Sequence, residues 1–105
     1  MKEEWRSLTD VDKLLHEPSR LMILAILNSV EKADFVYLQH ETGLTRGNLS
    51  AHLTKLNEAG YIDIEKKFNG KVPQTMCQIT PTGKTAFQNY TEYLKKVVNK
   101  ISTSG

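Results

Sequence analysis

Between Thr45 and Lys55 the chain carries Arg46, Gly47, Asn48, Ser50, Ala51, His52, Thr54 and Lys55, and no carboxylate follows until Glu58. Each of these side chains is small, hydrogen-bonding or cationic. Such groups can read the edges of bases: Asn48 can pair with an adenine edge in bidentate fashion, and Arg46 can reach a guanine or a phosphate. A second group, Lys66, Lys67, Asn69, Gly70 and Lys71, places three lysines around one tight turn with no acid among residues 66–71. Lysines so placed hold phosphate and give salt-dependent affinity without reading sequence.

Other chemistries find little support. The chain has no Gly-rich phosphate loop, no zinc-hydrolase motif and no Gly-x-Ser-x-Gly turn, so an enzyme is not expected. His16, His40 and His52 stand 24 and 12 residues apart, which is no ligand spacing, and Cys77 is the single cysteine. Neither a metal nor another cofactor is expected. Cys77 reads as a small strand residue facing the core or the base of the hairpin.

The elements that must position the two groups follow from punctuation and periodicity. Thr45 can cap a helix running to about Ala59, in which Leu49, Leu53 and Leu56 form one narrow apolar stripe. At 100° per residue that stripe faces a core, and Gly47, Asn48, Ala51, Thr54 and Lys55 face away, with Ser50 and His52 on the flanks. Tyr37 to Thr42 reads as a short preceding helix closed by Gly43. Earlier still, Thr9-Asp10 opens a short amphipathic helix on Val11, Leu14 and Leu15, and Pro18 starts a mostly buried one through Leu21 to Leu27. Asp34 to Tyr37 suits either a strand stub or a helix start. Strands from Tyr61 to about Phe68 and from Val72 to Ile79 flank Asn69-Gly70, a type I′ hairpin signal, and Pro73 suggests an edge strand. Thr80-Pro81 then opens a helix to about Ile101.

Two helices joined by Gly43-Leu44-Thr45 match the helix-turn-helix signature, and a hairpin directly after the second makes a wing. The expected fold is therefore mainly α with a small β-hairpin, in one domain: helix-turn-helix about 37–59, wing about 61–79 and C-terminal helix about 81–101. The 105 residues, 39% hydrophobic and 25% charged, suit one globular domain. Residues 1–43 carry a net charge of −3 and residues 44–105 a net of +5, so the basic half is the half holding both candidate groups. No apolar run approaches the ~20 residues of a bilayer span, and the start of the chain lacks a secretory pattern. A reduced, cytoplasmic protein is the expectation.

The last helix carries Phe87, Tyr90, Leu94, Val97 and Ile101 at alternating intervals of three and four, with Val98 beside them. Phe87 and Tyr90 can pack on the core of their own chain, but a helix of this length outruns a core so small, so Tyr90, Leu94, Val97, Val98 and Ile101 are expected to meet a second copy of the chain. Trp5 and Leu8 can cover part of the same helices.

Several stretches resemble known regulators. Glu17-Pro18-Ser19-Arg20-Leu21-Met22-Ile23-Leu24 is similar to the Pro-x-Arg-x-x-Ile-Leu start of ArsR-type winged-helix repressors. Gly43 to Leu53, continuing to Ile62, resembles the recognition helix shared by ArsR-like and MarR-like transcriptional regulators. Ile79-Thr80-Pro81-Thr82-Gly83-Lys84 is similar to the step into the last helix of the MarR-like group. The resemblance spans residues 11–101 and implies a dimeric transcription factor that binds double-stranded DNA. Residues 45–55 would form its recognition helix and residues 66–71 its wing tip. The paired cysteines of metal-sensing ArsR-type proteins have no counterpart here, and a small-molecule effector is left open. The main rival is a winged-helix module that binds protein rather than specific DNA, which would more naturally expose an apolar recognition face.

Overall fold

A computed structural model describes Trp5 and residues 8–104. Its elements in chain order are α1 (Pro18–Val30), β1 (Lys32–Asp34), α2 (Phe35–Thr42), α3 (Arg46–Glu58), β2 (Ile62–Asn69), β3 (Val72–Ile79) and α4 (Pro81–Ser104). The Glu17 carboxylate caps α1, accepting from the N–H of Ser19 and of Arg20 at 3.0 Å each. Along Leu21 to Leu27 Met22 alone is exposed, with Leu21, Ala25 and Ile26 half-buried and the rest buried, so α1 is the central helix of the core. Ile23, Leu24 and Leu27 pack there with Leu38 of α2, with Leu49, Leu53 and Leu56 of α3, and with Ile62, Cys77 and Ile79 of the sheet. The molecule is elongated, 59 × 25 × 21 Å. Its long helix α4 accounts for much of that length, since 24 residues at about 1.5 Å each reach roughly 36 Å.

The winged-helix architecture is as expected, with four local differences. Val11, Leu14 and Leu15 do pack against the core, but not from a helix. Asp12 Oδ1 accepts from the N–H of Leu14 and Leu15, and the His16 N–H reaches the Asp12 carbonyl, so one turn forms and Pro18 restarts the chain. The stretch from Asp34 to Tyr37 is both a strand end and a helix start: β1 stops at Asp34, whose carboxylate caps α2 by accepting from Tyr37 N–H at 2.7 Å. That makes the sheet three-stranded and antiparallel in the order β1-β3-β2, with Ala33 opposite Cys77. A three-residue strand has too little sequence of its own to announce itself.

The hairpin turn sits one residue later than Asn69-Gly70 suggests. Asn69 pairs with Val72, so Gly70-Lys71 forms the two-residue loop, and Gly70 takes φ +67° at its first position. That is the glycine requirement of a type II′ turn rather than type I′. Pro73 therefore belongs to the central strand. Its tolerance there has a simple cause: β1 pairs only with Met76 to Gln78, leaving β3 unpaired on that side at Pro73.

Candidate nucleic-acid interface

The turn between α2 and α3 is held by short hydrogen bonds. Gly43 closes α2 at φ +70°, its N–H donating to the Gln39 carbonyl at 2.9 Å. Thr42 Oγ1 donates to the Leu38 carbonyl at 2.7 Å. Thr45 caps α3, its Oγ1 accepting from Asn48 N–H at 3.2 Å. Burial of Leu49, Leu53 and Leu56 then fixes the rotation of α3 about its axis. Arg46, Gly47, Asn48, Ser50, Ala51, Thr54 and Lys55 are left exposed with Thr45, on one continuous surface. Within it the Arg46 guanidinium lies 5.7 Å over the Phe35 ring, and Thr54 Oγ1 donates to the Ser50 carbonyl.

His52 stands apart from that group. It is half-buried, with Nδ1 at 3.3 Å from Arg20 Nη1 and 3.5 Å from the Glu17 carboxylate. Arg20 Nε also donates to the Leu14 carbonyl at 2.7 Å, so one guanidinium ties the N-terminal segment to α3. Burial pushes the Glu17 carboxyl up, but the N–H groups of Ser19 and Arg20, with the neighbouring His52 and Arg20 side chains, hold it below the ordinary range. Sequence spacing could not show this cluster, because its members are 32 residues apart.

The wing places Lys66, Lys67, Asn69, Gly70 and Lys71 in solvent. Among the described residues no carboxylate pairs with these three lysines. Between α3 and the wing runs a cleft of about 530 Å³, with Arg46, Ser50 and Thr54 on one wall and Ile64, Lys66 and Thr75 on the other. Arg46 and Lys66 thus stand on opposite sides of a groove beside the exposed face of α3, whose lining also includes the Asp34 carboxylate.

The other expected surface divides. Tyr90 is 5% exposed and its hydroxyl lies 2.8 Å from His16 Nδ1, so it belongs to the core of its own chain rather than to an outer seam. Val97 is half-buried, and Leu94, Val98 and Ile101 are exposed. Trp5 meets α4 from the N-terminal side, with the Lys100 ammonium 5.1 Å from its ring centroid. Asp12 Oδ2 accepts from the Tyr61 hydroxyl at 2.6 Å. Burial, then the bond to Asp12 and its charge, push that phenol up to about 12.

Cys77 is buried, and burial together with the charge of Asp34 pushes its thiol up to about 11. Among the described residues no three His, Cys, Asp or Glu side chains gather as a metal site. No helix among them is long and apolar enough to cross a membrane.

A family model for the winged helix DNA-binding domain matches residues 19–98. The chain belongs to this family. The winged-helix domain is also 40% identical, over 79 residues, to an uncharacterized protein of Methanocaldococcus jannaschii, covering 74% of this chain and 85% of that one. Among solved structures it is similar to a transcriptional regulator homologue from Pyrococcus horikoshii OT3, with TM-score 0.85 and 29% identity over 94% of this chain and 97% of the other. A mutant MarR from E. coli shares the fold at TM-score 0.72 and 15% identity, over 98% of this chain and 76% of its own. The family is that of the winged helix DNA-binding domain, and the fold is one that solved transcriptional regulators share.

Proposed function

We propose that the chain is a sequence-specific regulator that binds duplex DNA as a homodimer. In this reading Arg46, Gly47, Asn48, Ser50, Ala51, Thr54 and Lys55 enter the major groove, and Lys66, Lys67 and Lys71 hold phosphate. The observation that carries it is the pairing of an exposed α3 face, whose one carboxylate, Glu58, stands at its last residue, with a wing of three lysines. No carboxylate among the described residues pairs with those lysines, and Arg46 and Lys66 face each other across one cleft. A two-fold dimer through the exposed apolar end of α4 would set the two α3 helices about one turn, ~34 Å, apart and demand a pseudo-palindromic site. The reading puts the protein in the cytoplasm, with Cys77 reduced.

Selection from random duplex sequence tests all of this together. The expected result is an enriched site with two-fold symmetry, on which Asn48→Ala costs about 1–3 kcal/mol and relaxes preference at one base pair. Chelators and thiol reagents should leave that binding unchanged. No enrichment, or an asymmetric site bound by single chains, would overturn the reading.

A further inference from the structure

The tip of the wing carries more than charge. Phe68 is 72% exposed and Val72 65% exposed, and Pro73 beside them is exposed as well. Phe68 stands directly opposite Pro73 in the ladder, so the ring and the pyrrolidine share one face. Single apolar side chains on a surface need no explanation. Here an aromatic ring is held out on a projecting hairpin, between Lys67 and Lys71, where an apolar partner protein would first have to desolvate the lysines. A polyanion with apolar walls suits the mixture better. The minor groove of a duplex is such a surface, lined by deoxyribose and edged by phosphate.

Register says which way the ring faces. Side chains alternate along a strand, so Ile62, Ile64, Lys66 and Phe68 lie on one face of β2. Ile62 is buried in the core, and Ile64 and Lys66 line the cleft beside α3. Phe68 continues that row outward, one step beyond Lys66. With α3 in a major groove, the sugar-phosphate strand bordering that groove would cross the cleft between Arg46 and Lys66. The next feature outward along the wing is then the neighbouring minor groove, at Phe68.

From this geometry we infer that Phe68, backed by Pro73, is an apolar wedge that packs against the deoxyribose walls of the minor groove. It rests on the DNA-binding reading above. Lysine contacts release counterions and so steepen the dependence of affinity on salt, whereas an apolar contact does not. The two can therefore be separated at one site.

The experiment measures the affinity of the full chain for its selected duplex between about 50 and 200 mM salt, with hydroxyl-radical footprints of the same complexes. Phe68→Ala should weaken binding about ten-fold at every salt concentration, with the slope unchanged and sugar protection lost in the minor groove beside the α3 site. Phe68→Leu should keep most of the affinity and the protection. Lys66→Ala should lower the slope by about 0.9 and leave the protection in place. Phe68 is so exposed that thermal unfolding of both Phe68 variants should match the wild type. Wild-type binding with Phe68→Ala within two-fold of it overturns the wedge alone, as does a loss of affinity accompanied by a lower slope. A wild type that binds no duplex overturns the DNA-binding reading, and the wedge with it.

Discussion

The two halves of α4 carry the same apolar rhythm into opposite surroundings. At its start the helix is fastened to its own chain. Thr80 Oγ1 accepts from Gly83 N–H at 3.0 Å and donates to the Gly60 carbonyl at 2.6 Å, while Thr80 N–H donates to the Tyr61 carbonyl. Gly83 is buried, and a Cβ there would drive into the Tyr61 carbonyl oxygen. Tyr90, about two turns further on, is buried against His16 and lies 5.4 Å from the Tyr93 ring. Beyond Tyr93 the core has ended. Leu94, Val98 and Ile101, 36%, 59% and 62% exposed, continue the stripe into solvent. The difference teaches that periodicity alone assigns a face to a helix and leaves open what covers it. Where the neighbouring chain stops is what changes the role.

The largest effect is expected from breaking the outer half. Leu94→Glu with Val98→Glu would place two charges on the exposed stripe, and burying either against a partner is costly. Sedimentation should show the dimer weakened at least ~100-fold, about 3 kcal/mol, with DNA affinity falling alongside it. Thermal unfolding of the separated chain should change little, because both side chains are already exposed. A double variant that stays dimeric with unchanged affinity for DNA would remove the outer half from any interface. So would a wild type that is monomeric at tens of micromolar.

Next comes the inner half. Gly83→Ala must push the first turn of α4 away from the Tyr61 backbone, which a rigid carbonyl cannot accommodate by rotating aside. Overpacking of this kind costs about 1–3 kcal/mol, and the upper end is expected here. Urea unfolding gives the number. Loss of stability with the dimer constant unchanged would sharpen the contrast, while a fully stable Gly83→Ala would mean that the two elements are not held this closely.

Tyr90 tests where the boundary between the halves falls. Tyr90→Phe removes a hydroxyl 2.8 Å from His16 Nδ1 and leaves the ring in place. The cost should be about 1 kcal/mol of stability, with no change in self-association. A shift in the dimer constant instead would move the boundary one turn towards the start of the helix.

What was legible in the sequence follows the range of the interactions involved. Thr45, the stripe Leu49, Leu53 and Leu56, and Thr80-Pro81 act within one or two helical turns, and each appears in the structure where the residues alone put it. The same holds for the exposed surface of α3, because burial of three leucines determines which residues are left over. The features that escaped depend on distant partners. Strand β1 exists through pairing of Lys32 to Asp34 with Met76 to Gln78, far along the chain. His52 sits on a flank by spacing, yet Arg20 and Glu17 draw it inward. Val11, Leu14 and Leu15 have helical spacing, but Asp12 spends its carboxylate closing a single turn and bonding Tyr61. Asn69-Gly70 marks the hairpin correctly and its register by one residue too early, since Asn69 pairs with Val72 and the glycine is needed at the first loop position.

The smallest effect concerns the bridge between the start of α4 and the end of α1. Glu31 closes α1 at φ +70° and ψ −45°, a conformation that costs a side-chain-bearing residue of order 1–3 kcal/mol. It is kept there because its N–H donates to the Leu27 carbonyl at 2.8 Å and its own carbonyl accepts from Ile79 N–H at 3.1 Å. Both bonds are to backbone and survive replacement. Its carboxylate is also 3.8 Å from Lys84 Nζ in the first turn of α4, but both side chains are exposed, and such pairs contribute ~0–1 kcal/mol. Glu31→Gly relieves the strain, loses that pair and gives the unfolded chain more freedom, which offsets about 0.4–1 kcal/mol. The net should be a gain near 0.5 kcal/mol, seen as a rise of a few degrees in melting temperature with dimer and DNA constants unchanged. A clear loss of stability would mean that the Lys84 contact holds the inner half of α4 more firmly than its exposure implies. The anchoring of that half would then extend beyond Thr80 and Gly83 to the end of α1.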